Sequence, residues 1–473
     1  MPEILKKKLG FWPAVSVIMG SIIGAGLFMK PASMASQLGS PIWLTAVWVI
    51  AGIFTLFGAL VYAELGTMMP ETGGIYVYFR KIFGEFTAFL YGWAAFAVIN
   101  TAAVAAIAFV FAFYANYFLH LPQLQDAIVM ANVWHIPFIG DLYPLKDIGV
   151  KSLAIVIVAG LSFLNSRSLK AGGYFQLVST VLNVSIIAAL VIGVFISGNG
   201  STVNFTQAVS PKTGGALLGG IIAAMTGAFF AYDGWINIAS MAGEIDQPKK
   251  NIPRTLFIGV LACMSIYLLV NQAYLYVLPV EKVASSSLVA ADAIGIALGK
   301  TSEAVVAAMI VLCTFGAING NVMATARISY AMGRDGAFPK WLGKEHASTQ
   351  TPRNALLLHA IWTCVFIFTG SFDMLADMFV FITWIAYALG AIGIFMLRKT
   401  KPDAERPYKI WGHPFVTIGF ILFSLFYLFS TLYNDIVNYL DHKQPIINSL
   451  LGLFITALGI PFYFYFKKRY EKS

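Results

Sequence analysis

Apolar runs separated by short polar or Pro/Gly-containing segments follow one another along almost the whole chain of 473 residues. Runs of about 18 or more residues can cross a hydrocarbon layer roughly 30 Å thick as helices. The pattern therefore predicts an all-α integral membrane protein with about twelve transmembrane helices in one domain, residues 1–473. The predicted helices are Phe11–Met29, Ile42–Thr67, Phe86–Phe118, Ile148–Leu164, Gly172–Ile196, Gly214–Ala242, Thr255–Leu278, Ser302–Gly333, Asn354–Gly370, Asp373–Leu397, Pro414–Tyr433 and Ile446–Phe466.

Composition and charge agree with a membrane protein. Hydrophobic residues make up 59% of the chain and charged residues 11%, whereas soluble domains carry about 25% charged residues. The net charge of +9 could indicate nucleic acid, but the predicted inner segments hold 24 of the 31 Lys and Arg residues. By the positive-inside rule this predicts a plasma-membrane protein in contact with lipid, with cytoplasmic N- and C-termini and no nucleic-acid partner. The basic residues predicted outside are Lys30, Lys146, Lys151, Lys212, Lys282, Lys300 and Lys443.

The first and sixth predicted helices contain glycine and small residues at their centres. These interruptions are Gly20-Ser-Ile-Ile-Gly-Ala-Gly26 and Phe230-Ala-Tyr-Asp-Gly234. Matching interruptions in two halves of a chain indicate the binding site of a transporter. Five helices per half would give the second half the opposite orientation, so we predict an inverted pair of repeats, residues 11–196 and 214–397. Residues 414–466 would then form peripheral helices.

Unwound backbone inside a membrane must be buried in protein or line a cavity, because its amide and carbonyl groups find no water. Free N–H groups at the start of a half-helix bind a carboxylate, and carbonyls at the end of one accept from an ammonium group. An amino acid zwitterion offers both groups. Gly24 and Gly26 would permit the backbone angles and the close approach that such a site needs, although glycine can also serve simply to pack membrane helices.

Asp233 is the one carboxylate predicted at mid-membrane depth, where acidic residues are functional candidates. Its side chain could pair with a substrate or a proton. Alternatively, it could cap the sixth helix where that helix resumes at Gly234 and Trp235, as Asp commonly does. Glu64, near the inner end of the second helix, is interpreted as a structural residue at the membrane interface.

Other polar residues do not suggest an enzyme, a channel or a metal site. A membrane enzyme would need several titratable groups converging at depth, and the sequence offers Asp233 alone. The three cysteines are too few and too widely spaced for a metal cluster or a disulfide framework, so no cofactor or metal is expected. Candidates for contact with a substrate side chain are Asn100, Thr101, Thr314, Asn319, Thr383 and Trp384.

Several segments resemble the amino acid, polyamine and organocation (APC) superfamily. They are Gly20-Ser-Ile-Ile-Gly-Ala-Gly-Leu-Phe28, Ala63-Glu-Leu-Gly66, Pro70-Glu-Thr-Gly-Gly74, Phe230-Ala-Tyr-Asp-Gly-Trp235 and Glu405-Arg-Pro407. Within the superfamily the chain is most similar to the L-amino acid transporter family and its bacterial serine/threonine exchangers. The resemblance implies a LeuT-type fold of 5+5 inverted repeats, with helices one and six broken, and transport by alternating access.

The same resemblance implies a set of substrate-binding residues. The carboxylate would be held by the backbone of Ser21, Ala25 and Gly26. The ammonium group would be held by carbonyls of Ile22, Phe230 and Asp233, with Ala231 beside them and Phe230 as a gate.

Two departures from the family pattern bear on coupling and on partners. Many relatives carry a Lys in helix five where this chain has Asn183, so a fixed ammonium group that could replace a coupling cation is missing. The animal light chains carry a Cys between helices three and four for a disulfide to a heavy chain, and residues 119–151 contain none. We therefore predict a sodium-independent transporter of small neutral L-amino acids, by exchange, without a disulfide-linked heavy chain. A proton-coupled symporter and a transporter of cationic amino acids or polyamines are the alternatives.

Overall fold

The computed structural model describes residues 10–71, 73–167, 170–208, 212–240, 245–346 and 351–470. This part of the chain is almost entirely helical. Its helices are α1 (Phe11–Ile22), α2 (Ala25–Leu38), α3 (Pro41–Met68), α4 (Ile75–Phe83), α5 (Glu85–Ala94), α6 (Asn100–Leu119), α7 (Asp126–Ala131), α8 (Ile148–Arg167), α9 (Lys170–Ile196), α10 (Gly214–Tyr232), α11 (Asn237–Ser240), α12 (Pro248–Val277), α13 (Val280–Ser285), α14 (Val289–Leu298), α15 (Lys300–Arg334), α16 (Arg353–Thr369), α17 (Phe372–Thr400), α18 (Phe415–Leu440), α19 (Asn448–Ala457) and α20 (Gly459–Tyr470).

The number of spans agrees with the apolar runs. Within the described residues, nine helical segments are long and apolar enough to cross a membrane, and the bent pair of α1 and α2 makes a tenth. Shorter apolar helices, Arg353–Thr369 and Asn183–Ile196 within α9, lie at the two remaining predicted positions. The prediction of an all-α, multi-span membrane protein is confirmed. The division into repeats at residues 11–196 and 214–397 stays a prediction.

The first span is longer than the sequence predicts. The pattern predicts an end at Met29, before a Lys-Pro pair, but α2 continues through Pro31 and ends at Leu38. Lys30, predicted to lie outside, is instead 2% exposed. Its ammonium group is paired with carboxylates of α17, and burial with such partners is how a charge remains inside a bundle.

Lys151 is a second basic residue predicted outside that lies within the bundle. It belongs to α8 and is 2% exposed. Its Nζ donates to the carbonyl oxygens of Tyr143 at 2.8 Å, Pro144 at 3.1 Å and Phe368 at 3.0 Å. Three acceptors satisfy the three ammonium hydrogens, which allows the charge to be buried.

Contacts between loops identify the two ends of the bundle. A hairpin of β1 (Trp134–Ile136) and β2 (Gly140–Leu142) pairs with the segment after α18 through Gly140 and Ile446. We call this the hairpin end, and it is the end predicted to be extracellular. At the opposite end Arg80 binds Asp335 at 2.9 Å and Lys249 binds Glu405 at 2.5 Å.

Glu64 is a structural anchor at the opposite end. Its carboxylate is fully buried in α3 and accepts from Arg398 Nη2 at 2.7 Å and Nε at 3.2 Å. The backbone N–H of Ile410 donates to the same carboxylate at 2.9 Å. These bonds join α3 to the end of α17 and to the segment that follows it, in agreement with the structural interpretation of Glu64.

Candidate substrate-binding site

The first predicted interruption is a break between α1 and α2. Helix α1 ends at Ile22, and α2 begins at Ala25 with its axis bent by 43°. Ile23 and Gly24 between them are extended. The last carbonyls of α1 and the first N–H groups of α2 therefore have no partners within the helix.

The second interruption follows Tyr232, the last residue of α10. Asp233 is extended, Gly234 has a φ of 111°, and α11 begins only at Asn237. A Cβ on Gly234 would lie 2.4 Å from the carbonyl oxygen of Ser21. Both the positive φ and this close approach require glycine, so the second break is packed directly against the first.

Gly26 provides the other close approach between the two breaks. A Cβ at this position would lie 2.6 Å from Cα of Ala231. Gly26 itself lies within the helical backbone of α2, and Gly24 has a φ of −155°, which any residue can adopt. The predicted need for unusual backbone angles at these two glycines is therefore wrong. Close approach between α2 and α10 is the reason for Gly26.

Tyr267 of α12 connects the two breaks and was not among the predicted residues. Its hydroxyl lies 2.7 Å from the carbonyl oxygen of Ile22 and 2.8 Å from that of Ala231, so its one hydrogen is shared between them. The side chain is completely buried and packs edge-on against Trp48 with ring centroids 5.3 Å apart. A tyrosine within a long apolar helix carries no sequence signal for this role.

The breaks open onto one cavity of about 160 Å³. Pockets for drug-sized ligands usually span roughly 300–1,000 Å³, so this cavity fits a smaller molecule. All seven predicted substrate-binding residues line it, namely Ser21, Ile22, Ala25, Gly26, Phe230, Ala231 and Asp233. Their binding roles stay predictions, but the fold does bring them to a single site.

The cavity extends from the breaks toward the opposite end of the bundle. Gly73 and Ile75, which follow α3, line it, as do Tyr91 of α5 and Ile328 near the end of α15. Phe230 and Phe379 line its other side. With the predicted orientation, the cavity extends toward the cytoplasm.

Asp233 is the one charged residue among the described residues that line the cavity. Its Oδ1 accepts from the hydroxyl of Tyr387 at 2.7 Å. The helix resumes at Asn237 rather than at Gly234 and Trp235, so Asp233 is not the cap of that helix as predicted. Its carboxylate is held instead by Tyr387 of α17.

The structure separates the candidates for contact with a substrate side chain. Asn100 and Thr383 line the cavity, and the π-helical segment Ala95–Ile99 precedes Asn100. The other four candidates are not lining residues. Thr101 donates to Phe96, Thr314 to Ile310, Asn319 accepts from Asn165, and Trp384 packs on Phe229.

Asn183, the predicted coupling position, lies beside the first break rather than in the cavity wall. Its Nδ2 is 3.5 Å from the carbonyl oxygen of Ile23, the outer limit of a hydrogen bond. The side chain is 6% exposed. A neutral amide therefore faces the broken helix, and the role of Asn183 in coupling stays a prediction.

Phe230, the predicted gate, packs against two aromatic rings of α17. Its ring lies edge-on to Phe372 at 5.7 Å and to Phe379 at 5.9 Å between centroids. The side chain covers the cavity on the side toward the hairpin end.

Within the described residues, no group of three or more His, Cys, Asp or Glu side chains could hold a metal ion.

Comparisons with known proteins agree with this architecture. A model of the amino acid permease family matches residues 9–456. The serine/threonine exchanger SteT of Bacillus subtilis (strain 168) is 30% identical over 471 residues, 98% of each chain. The human cystine/glutamate transporter is 29% identical over 98% of this chain and 85% of its own length. The human b(0,+)-type amino acid transporter 1 is 31% identical over 86% of this chain and 79% of its own. The chain therefore belongs to the amino acid permease family of the APC superfamily, a family of membrane transporters and not of enzymes.

Proposed function

We propose that the protein moves small neutral L-amino acids such as serine, threonine and alanine across the plasma membrane by sodium-independent exchange. The observation that carries this proposal is the pair of contacting breaks that open onto one small cavity. The relatives whose names state a substrate are exchangers or transporters of amino acids, which supports an amino acid as the substrate.

The backbone of the breaks suits a zwitterion. The free N–H groups at the start of α2, at Ala25 and Gly26, offer a site for the α-carboxylate, which the helix dipole also favours. The carbonyls of Ile22, Phe230 and Asp233 offer acceptors for the α-ammonium group. Tyr267 occupies one lone pair of Ile22, and a carbonyl oxygen has a second one for the substrate.

The remaining walls favour a small neutral side chain. No Lys or Arg is among the described residues that line the cavity, so an acidic side chain would find no cation there. The one carboxylate, Asp233, is engaged by Tyr387. Asn100, Asn321 and Thr383 are among the other lining residues and offer neutral hydrogen-bonding groups to a hydroxyl.

Two further observations support transport without sodium and action without a disulfide-linked heavy chain. Asn183 contributes an amide dipole beside Ile23 and no charge, and the broken helix is also held by Tyr267. The described cysteines lie within helices, in α12, α15 and α16, away from the loop in which animal light chains carry their linking Cys.

Uptake of labelled serine into proteoliposomes tests the function. We expect internal serine, threonine or alanine to stimulate uptake, and replacing external sodium by choline to leave it unchanged. Serine methyl ester and ethanolamine should compete poorly, because both lack the free carboxylate that is proposed to bind at the start of α2. Efficient competition by either would remove the basis of the zwitterion assignment. Several-fold stimulation by sodium would exclude sodium independence, and accumulation driven by a proton gradient alone would favour the symport alternative.

Asp233→Asn distinguishes the neutral from the cationic alternative. An amide oxygen can still accept from Tyr387, so we expect serine uptake to change by no more than about fivefold, since one neutral hydrogen bond contributes about 1 kcal/mol net. Asp435→Asn is the control, because Asp435 is a buried carboxylate of α18 that does not line the cavity. Loss of serine uptake in Asp233→Asn alone, or strong uptake of lysine by the parent protein, would instead support chemistry by the Asp233 side chain.

A further inference from the structure

Lys30 is the most deeply buried ion-paired cation among the described residues. Its side chain is 3% exposed. Its Nζ lies 2.8 Å from Oδ1 of Asp373 and 3.4 Å from Oδ1 of Asp377. Both acids belong to the first two turns of α17, whereas Lys30 belongs to α2. The ion pairs therefore join the half-helix that follows the first break to a different span of the bundle.

The same ammonium group lies over the ring of Phe230 and over the ring of Phe372, which packs edge-on to Phe230. Its Nζ is 4.9 Å from the ring centroid of Phe372 and 5.8 Å from that of Phe230, within cation–π distance. Phe230 lines the cavity. Lys30 thus contacts both rings of this pair, one of which lines the cavity.

The two partners of Lys30 are held differently. Oδ2 of Asp377 accepts from Asn448 of α19 at 3.3 Å, so this acid is tied to a neighbouring helix. The side chain of Asp373 is 61% exposed, so the cluster reaches water at the hairpin end. The cation is on the half-helix next to the break at Ile23 and Gly24, the point at which that helix can change direction.

We propose that Lys30, Asp373 and Asp377 form an ionic latch that closes the substrate site at the hairpin end. This inference rests on the transport proposed above and on the alternating access that the family resemblance implies. In this structure the latch is shut and the cavity extends to the opposite end. To admit an amino acid from the hairpin end, α2 must swing away from α17, and the ammonium and carboxylate groups must then be solvated by water instead of by each other.

Removing one partner should favour the open arrangement. A buried charge without its counter-charge is strongly destabilising, and outward movement of α2 would let water reach the remaining carboxylates. The latch therefore acts as a positioning device, because it changes how often the site opens without touching the substrate.

Thiol labelling measures this opening directly. A cysteine replaces Asn100 in the cavity wall as the reporter, and Cys263, Cys313 and Cys364 are changed to Ala. A membrane-impermeant maleimide is added from the hairpin side of proteoliposomes. We expect the maleimide to react with Lys30→Met at least about fivefold faster than with the parent. This factor corresponds to the low end of typical coupling free energies between sites. Asp373→Asn combined with Asp377→Asn should do the same, and Lys30→Arg should label slowly.

Lys151→Met is the matched control. Lys151 is equally buried and also bound near the hairpin end, but by backbone carbonyls and not between α2 and α17. Labelling in detergent, where both sides are accessible, confirms that each variant is folded with a reactive reporter. Unchanged labelling of Lys30→Met, or an equal increase in Lys151→Met, would overturn the latch. If Lys30→Met does not fold, the Asp373→Asn, Asp377→Asn double variant decides in the same way.

The labelling does not depend on transport. Absence of amino acid uptake by the parent protein would therefore remove the proposed function and leave the latch to be judged by labelling alone. Conversely, normal uptake with unchanged labelling in the variants would remove the latch and leave the proposed function in place.

Discussion

Gly26→Val is expected to reduce amino acid binding about a hundredfold while the protein remains folded and monodisperse, since displacement of site groups by about 1 Å can cost this much. A Cβ on Gly26 would lie 2.6 Å from Cα and 2.8 Å from Cβ of Ala231. These are backbone and near-backbone atoms, so neither can rotate away. The half-helix α2 would have to move from α10, separating the N–H groups proposed for the carboxylate from the carbonyls proposed for the ammonium group.

The measurement is serine binding to purified protein by calorimetry or by ligand-dependent thermal stabilisation. Gly419→Val is the control, because Gly419 lies in α18 with no atom within 4 Å of an added Cβ. We expect that variant to bind serine as the parent does. Near-normal affinity in Gly26→Val would mean that the contact between the breaks can relax without moving the site, and that the first break only packs helices.

Tyr267→Phe is expected to lower the apparent affinity for serine about tenfold with little change in expression. The variant removes one hydroxyl that serves two carbonyls, those of Ile22 and Ala231. Both carbonyls belong to the breaks, and leaving a buried polar group unsatisfied costs about 1–3 kcal/mol. Without the shared hydrogen, each break loses a restraint on the geometry in which its free groups point into the cavity.

Tyr274→Phe is a closely matched control in the same helix. Tyr274 is 1% exposed, and its hydroxyl has no hydrogen-bond partner among the described residues. Concentration dependence of serine uptake should therefore be unchanged in this variant. A similar loss in both variants would show that α12 tolerates no change of buried tyrosine, and it would contradict a specific role for the Tyr267 hydroxyl.

Features that depend on local chemistry could be read from the sequence. The helices follow from long apolar runs, because a membrane span needs apolar length and little else. The breaks follow from glycine and small residues at the centres of the first and sixth spans. Those two signals also locate the segments that contain all seven candidate residues, from Ser21 to Asp233, and the family resemblance implies a binding role for each of them.

Features that depend on which helices meet could not be read in this way. Lys30 next to Pro31 has the pattern of a loop, and only the carboxylates of α17, more than 340 residues away in sequence, make its burial possible. Asp233 and Tyr387 are likewise 154 residues apart. Their pairing, and not helix capping, determines where the carboxylate points.

The sequence by itself determined the class of fold, the two broken helices and the backbone groups offered to a ligand, because each is set by residues within a few positions of one another. Only the tertiary structure decided that Gly26 serves a close approach, that Tyr267 connects the breaks and that Asn100 and Thr383, unlike Thr101 and Thr314, face the cavity. The physical reason is that an apolar span carries no periodic polar face to orient it. Its rotation and its neighbours are set by packing against the other helices, and a hydroxyl in such a span can equally bond its own backbone or a distant one.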